Sequence, residues 1–532
     1  MADRIVQQPA TTAAQKHFSQ LPVADVERST FDRSAGYKTT FNAGNIIPFF
    51  CDEVLPGDTF NMNATLFIRM ATPIHPVMDN IACDVHYFFV PNRLVWDNWQ
   101  EFMGERPDPD FDPSTLVLPK GDIDLASISG KLADYFGLPL TETTTNVQVN
   151  ALPFRGYRLI WNEWYRDENL QDSISVEKTD TSVALTQQAV QIRGKRKDYF
   201  TSALPWPQKG DPVYLPLGVS APVLPNGLAP QFISEDDPLG YLYQPIGGGN
   251  NAGFTVDNDN EANVHFQSSG LFADLQEATS ATINDIRTSF QIQRMLERDA
   301  RGGTRYIELI LSHFGVQSAD GRLQRPEYIG GGSGMININP VAQTTPTPEA
   351  GQVTPQGNLA AVGTGVIKAG FNHSFTEHGY VYGMVSARAD LTYQNGLDRM
   401  WSRTTRYDFY WPTLAHLGEQ QILNQEIWVS DSDTINQETW GFQERYGEYR
   451  YRPGRVTARM RSTNPQSLDA WHLAQDFETL PPLNDEFIKE QPPMDRVLAV
   501  ATEPDFILDG WLNLKCTRPM PVYSVPGLVD HF

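Results

Sequence analysis

TFNMNATLFIRM, residues 59–70, alternates apolar and polar side chains almost without a break. Phe60, Met62, Ala64, Leu66, Ile68 and Met70 fall on one face, and Asn61, Asn63, Thr65 and Arg69 on the other, with Phe67 the exception. A period of two marks a strand with one buried face, and antiparallel sheets are where such strands occur. A second strand is predicted over about 80–90. Its faces carry His86, Phe88 and Val90 against Val85, Tyr87 and Phe89, both apolar enough to be covered. VYGMVSARADLTY at 381–393 is a third, with Val381, Val385, Ala387, Ala389 and Leu391 on one face.

The segments between strands are long. Pro91 ends the second strand because it has no N–H for a ladder. A helix is predicted at 93–103, with Leu94, Val95, Trp96, Trp99, Phe102 and Met103 as its apolar side and Gly104 as its stop. Residues 105–125 read as a loop. Short helices are expected at 127–136 and near 157–170. A longer one is expected at 281–300, with an Ile283, Ile286, Phe290, Met295 and Leu296 stripe. GGGSG at 330–334 reads as a flexible loop. No β-α-β rhythm or 20–50-residue repeat is present, so the chain is mainly β, an antiparallel sandwich or jelly roll with very long connections.

Charge narrows the function. Lys and Arg number 41 against 64 Asp and Glu, giving a net charge of −23. A protein that coats nucleic acid unaided is basic, so only a local basic face could do so here. Cys51, Cys83 and Cys516 are too scattered for a disulfide framework or a zinc ribbon. The N-terminus lacks a signal-like apolar run, and no stretch approaches about 18 apolar residues, so no membrane insertion is expected. Neither glycine run carries the Lys-Ser/Thr of a phosphate loop, and no G-x-S-x-G or H-E-x-x-H occurs. His373 and His378 are wrongly spaced to share a metal on a helix or a strand. Asp257, Asp259 and Glu261 imitate a calcium loop, but Ala262 and Ser268 stand where glycine and glutamate are needed. No catalytic residue, cofactor or metal is therefore expected.

Two basic clusters stand out. Arg193, Lys195, Arg196 and Lys197 lie in QIRGKRKDYF beside Tyr199 and Phe200. Arg450, Arg452 and Arg455 lie in RYGEYRYRPGRVTARMR, where Glu444 and Glu448 offset part of the charge. Cations beside aromatics suit single-stranded nucleic acid, and salt bridges or a solvated face are the plainer account. Residues 206–275 hold eight acidic residues, one lysine and no arginine, with frequent Gly and Pro, and read as a solvent-exposed insertion.

VHYFFVPNRLVWDNWQEFMG at 85–104, LIWNEWYRDENLQ at 159–171 and FQIQRMLERDARGGTRYIELILSHFGV at 290–316 resemble the major capsid proteins of microviruses. These are small icosahedral single-stranded-DNA bacteriophages, and the closer branch is the gokushoviruses. RLQRPEYIGG at 322–331, DRMWSRTTRYDFYWPTLAHLGEQ at 398–420 and PGLVDHF at 526–532 fit as well.

The resemblance implies a viral eight-stranded antiparallel jelly roll with long inter-strand insertions containing short helices. It divides the chain into an extended N-terminal arm (1–38), first strands with helical insertion loops (39–205), a variable surface insertion (206–275), and a final part with the remaining strands and a C-terminal arm (276–532). It implies sixty copies in a T=1 virion shell, assembled in the bacterial cytoplasm around circular single-stranded DNA. A small basic DNA-binding protein, a DNA pilot protein and a scaffolding protein are the implied partners. The insertion would rise as a threefold protrusion toward a host receptor, with Asp236, Asp237, Asn250, Asn251, Asp257 and Asp259 as its candidate residues. Trp96, Trp99 and Phe102 are candidates to anchor the loop after the second strand, either on the barrel or as a contact with a neighbouring subunit. The alternative is a jelly-roll carbohydrate-binding protein or a glycosidase, which would need paired carboxylates in a cleft.

Overall fold

The computed structural model describes residues 27–213 and 283–523, apart from 106, 109, 113–114, 182–183, 303–307, 309–310, 314, 316–323, 345–347, 350–351 and 354–356, together with segments at 223–225, 231–234, 264–268 and 271–273. The expectations for 1–26 and 526–532 and for most of 206–275 lie outside the described residues. The chain divides into two compact units, Met1–Pro207 with Gly303–Phe532, and Gln208–Gly302.

Nine strands of the larger unit form one antiparallel sheet: β1 (Ser29–Asp32), β2 (Ala35–Phe41), β3 (Ile47–Val54), β4 (Thr59–Met70), β5 (Ile81–Pro91), β6 (Glu327–Ala342), β7 (Leu359–Ser374), β8 (Gly379–Ala389) and β9 (Phe506–Arg518). The order is β1-β9-β4-β7-β6-β5-β8-β3, with β2 also on β9. Neighbours in space are remote in sequence: β3 lies beside β8, and β4 between β7 and β9. Such exchange between chain-distant strands, in a sheet curled round one core, is the jelly-roll arrangement.

The alternation at 59–70 is the strand as built, with every even residue from Phe60 to Met70 buried. The inward side chains of β3, β4, β5, β7, β8 and β9 meet in one cluster. Phe375 ties its two halves together, with its ring 5.3 Å from Phe60 and 4.8 Å from Phe89. Each such ring contributes about 1.5–3 kcal/mol by burial.

The outward face of β5 and β8 is covered as well. A second cluster packs Phe88, Val90, Tyr380, Tyr382 and Met384 beneath Trp96, Leu152, Phe154, Tyr157 and Trp161 of the insertion that follows β5. Gly156 permits this approach, since a Cβ there would collide with the Tyr382 hydroxyl.

The insertion's helices depart from expectation. The helix expected at 93–103 is a 3₁₀ turn, Asn92–Leu94, and a separate α turn, Trp99–Phe102. Asp180 holds the intervening segment, accepting from Trp96 Nε1 at 2.6 Å and from Asn98 Nδ2 at 2.9 Å. The helix expected near 157–170 begins earlier, at Leu152–Ile160, and continues as a π turn, Trp161–Tyr165. That expected at 127–136 shrinks to Leu132–Tyr135, after a 3₁₀ turn at Leu125–Ser127.

GGGSG is not a loop but the middle of β6. The glycines let β6 fit between β5 and β7. A Cβ on Gly331 would collide with the Val85 carbonyl, and one on Gly330 would lie 2.8 Å from the Gly370 carbonyl.

The smaller unit contains the helix Ile283–Arg301 and two short antiparallel pairs, Val223–Pro225 with Leu271–Ala273 and Gln231–Ser234 with Val264–Ser268. Phe290 and Met295 of the expected apolar stripe are exposed.

Candidate nucleic-acid interface

The segment 192–195 is extended. Its backbone bridges Asn45 through Ile192 and Lys489 through Gly194, and Lys195 N donates to Ile488 O at 2.7 Å. Extended backbone sends successive side chains to opposite sides, so the basic run is split.

Arg193 turns to the outer face of β5 and β8. Its Nη1 donates to Asp84 Oδ2 at 2.7 Å and to Ser386 Oγ at 2.8 Å, and Arg388 pairs with the same Asp84 oxygen. Register places Ser386 directly opposite Asp84. Burial by itself would raise the Asp84 pKa, but the two guanidiniums outweigh it and hold the carboxyl below its usual range. Burial, then Arg193, push neighbouring His86 down to about 4. Its Nδ1 lies 2.8 Å from the Tyr165 hydroxyl.

Lys195 is only 7% exposed. Its Nζ donates to Gln475 Oε1 at 2.8 Å and lies 4.4 Å from the centre of the Phe487 ring. Desolvation lowers its pKa to about 8, against the pull of Glu490 and Asp198. Arg193 and Lys195 are thus fasteners inside the chain and not free cations. Arg196 and Lys197 stand at the surface, paired with Asp390 and Asp167 respectively. Tyr199 and Phe200, expected as stacking partners, are buried in a third apolar cluster with Trp440 and Phe487. Together with His86, Trp164, Tyr165 and Tyr328, Arg196 and Lys197 line a cleft of about 520 Å³.

In the second cluster Arg450 pairs with Glu444, and Arg455 with Asp398 at 2.9 Å. Arg452 is exposed, and no ion pair engages it among the described residues. Tyr451 stacks on Tyr199 at 5.8 Å and 7°, which consumes one interleaved aromatic inside the chain.

Of the two surfaces expected for Trp96, the structure gives the chain's own barrel: the ring is wholly buried and has no surface to offer a neighbouring subunit. Trp99 and Phe102 pack on it, with ring centres 6.1 and 5.1 Å away, and are half-buried. Asp236, Asp237, Asn250, Asn251, Asp257 and Asp259 lie outside the described residues. Among the described residues no group of three or more His, Cys, Asp or Glu could hold a metal ion. No helix there is long and apolar enough to cross a membrane.

Sequence reasoning missed Asp84, the carboxylate that pairs with Arg193, and Arg388, the second cation that shares it. It also missed an exposed aromatic loop: Trp401, Tyr407, Phe409, Tyr410 and Trp411 all stand at least half exposed in a run of 3₁₀ turns. Aromatics are poor surface residues unless something covers them, so the signal was available in DRMWSRTTRYDFYWP itself.

A curled antiparallel jelly roll with large structured insertions is an architecture of the class of viral shell proteins. Comparison with known proteins makes the assignment particular. The family model described as capsid protein (F protein) matches residues 19–528, and the chain belongs to that family. It is 46% identical to the capsid protein VP1 of Bdellovibrio phage phiMH2K over 97% of this chain and 98% of that one. It is 42% identical to VP1 of Chlamydia phage 1, over 96% and 97%, and 38% identical to VP1 of Spiroplasma virus 4, over 92% and 93%. The protein is a structural major capsid protein of a microvirus-type bacteriophage. It is a component of the virion and not an enzyme.

Proposed function

We propose that sixty copies of this chain close into a T=1 icosahedral shell around a circular single-stranded DNA genome. The observation that carries the reading is the single curled sheet with large ordered insertions in a member of the capsid family. Shell proteins need contact area well beyond a monomer's own core, and the exposed aromatics at 401–411 supply surface of the composition found at interface centres. Electron microscopy of the purified chain under assembly conditions tests it. Closed particles of one diameter are expected, and monodisperse monomers under every condition would overturn the reading.

The basic clusters are proposed to touch the genome only through the cations that remain at the surface: Arg196 and Lys197 at the mouth of the 520 Å³ cleft, and Arg450, Arg452 and Arg455. The small basic DNA-binding protein would supply most of the countercharge that a −23 shell chain lacks. The pilot and scaffolding proteins are proposed as further partners in assembly. The 206–275 insertion is proposed to meet the host receptor, its support being its acidic, Gly- and Pro-rich composition. Deleting 220–265 tests this: particles should still form but adsorb poorly, and normal adsorption would exclude the role.

A further inference from the structure

The outward face of β4, β7 and β9 carries no covering cluster among the described residues, and its composition is unlike the rest of this acidic chain. We propose that this open sheet face is a binding platform for single-stranded DNA. The proposal rests on the shell reading above and adds a site to it.

The register sets out the platform. Lys368, Thr65 and Trp511 oppose one another across β7, β4 and β9. The next row is Val366, Phe67 and Asp509, and the one beyond it is Thr364, Arg69 and Ile507. In the other direction Asn372, Asn61 and Lys515 form a row. Strands lie about 4.8 Å apart and same-face rows about 7 Å apart, so these groups form one contiguous surface.

Two features point to a nucleic acid. The first is charge. Along the outward positions of the three strands Asp509 is the only carboxylate, and Lys38 neutralises it at 2.9 Å. Arg69, Lys368 and Lys515 remain, of which only Lys515 faces a carboxylate, Asp32 across the β1 pairing. In a chain with 64 acidic residues against 41 basic ones, a face with this balance complements a polyanion.

The second feature is stacking surface. Trp511 is 58% exposed and Phe67 44% exposed. Both stand on a rigid strand whose alternate residues are locked in the core. Exposed aromatics on a sheet with cations beside them are what sequence-tolerant single-strand binding uses, since every base has a face to stack. The surrounding Asn61, Asn63, Asn372 and Thr65 are neutral hydrogen-bonding groups, which neither repel phosphate nor need a protein partner's charge. A second copy of the chain is the competing occupant. It would favour a patch whose cations are already internally paired, as they are at Arg399 and Arg403 beneath the 401–411 aromatics.

The test uses the full-length, unassembled chain and a fluorescent oligodeoxythymidylate. Arg69→Glu, Lys368→Glu and Lys515→Glu are combined, beside the neutral Gln triple as a control for folding. With unfolding midpoints unchanged, the reversed triple should weaken binding at least tenfold and flatten the salt dependence of log K by about two, from about 0.7 per lost phosphate contact. Trp511→Ala should weaken binding about fivefold or more at an unchanged salt slope. Unaltered affinity and slope in both variants would overturn the proposal. So would wild-type oligonucleotide binding combined with loss of shells, which would make the face a contact between copies. Shell formation by the wild-type chain is scored separately by electron microscopy, so failure of the shell reading is distinct from failure of this site.

Discussion

Strands β4 and β5 have nearly the same length and share one core, yet they meet opposite environments. β4 alternates buried and exposed residues from end to end, whereas β5 is buried on both sides except at His86. The outer face of β5 and β8 lies under the insertion that follows β5, with one half apolar and the other half held by Arg193, Asp84, Arg388 and Ser386. Among the described residues the outer face of β4, β7 and β9 has none of this cover, and no ion pair engages its Arg69 or Lys368. Covered charge serves the fold, and open charge is what the proposed platform offers a partner.

The sharpest way to break that contrast is at Asp84. Asp84→Ala leaves two guanidiniums buried and unbalanced, and removing one member of a buried ion pair costs about 3–5 kcal/mol. Arg69→Ala on the open face should change stability by less than about 0.5 kcal/mol. Denaturant unfolding of the unassembled chain measures both, and equal effects would erase the distinction. The two tryptophans repeat the experiment with apolar groups. Trp96→Ala should cost about 3–5 kcal/mol through the cavity it leaves, while Trp511→Ala should cost under about 1 kcal/mol.

The sequence was readable where one strand's own pattern decides its environment. The alternation at 59–70 marks β4 exactly at its bounds because one face meets the core and the other does not. The largely apolar segment 81–90 reads correctly as a doubly covered strand. GGGSG misleads because glycine usually marks a loop, while here the crowding between β5 and β7 selects it, and that crowding comes from residues far away in the chain. The basic run at 193–197 misleads for the same reason. Its neutralising partners Asp84, Asp167 and Asp390, and the Gln475 amide that accepts from Lys195, come from distant segments. Arg69, Lys368 and Lys515 lie hundreds of positions apart, so no local window gathers them. Only the sheet order does.

Acid should also act on the covered side. His86 has a folded pKa of about 4, against about 6.5 in the unfolded chain. Between those values the unfolded state binds the extra proton, so stability falls as pH drops from about 6.5 and levels off below about 4. Asp84 has the depressed pKa of a paired carboxylate, so its contribution is present above the unfolded value of about 3.9 and is lost only below it. The two windows barely overlap. His86→Gln should therefore remove the stability slope between pH 6.5 and 4 and leave the steeper loss below pH 4 in place. A variant that keeps the upper slope would place its source elsewhere.

A linked effect of similar size lies at Lys195, whose pKa is lowered to about 8 from about 10.4 in the unfolded chain. From pH 8 to about 10 the unfolded state holds the proton that the folded state has released. Stability should thus rise gently with pH across that window, the reverse of what a surface lysine in an ion pair would give. Lys195→Met keeps the stem over Phe487 and removes the titration. It should flatten the slope between pH 8 and 10 and leave the single-strand affinity of the unassembled chain unchanged. A loss of affinity in that variant would mean that Lys195, buried as it is, reaches the nucleic acid.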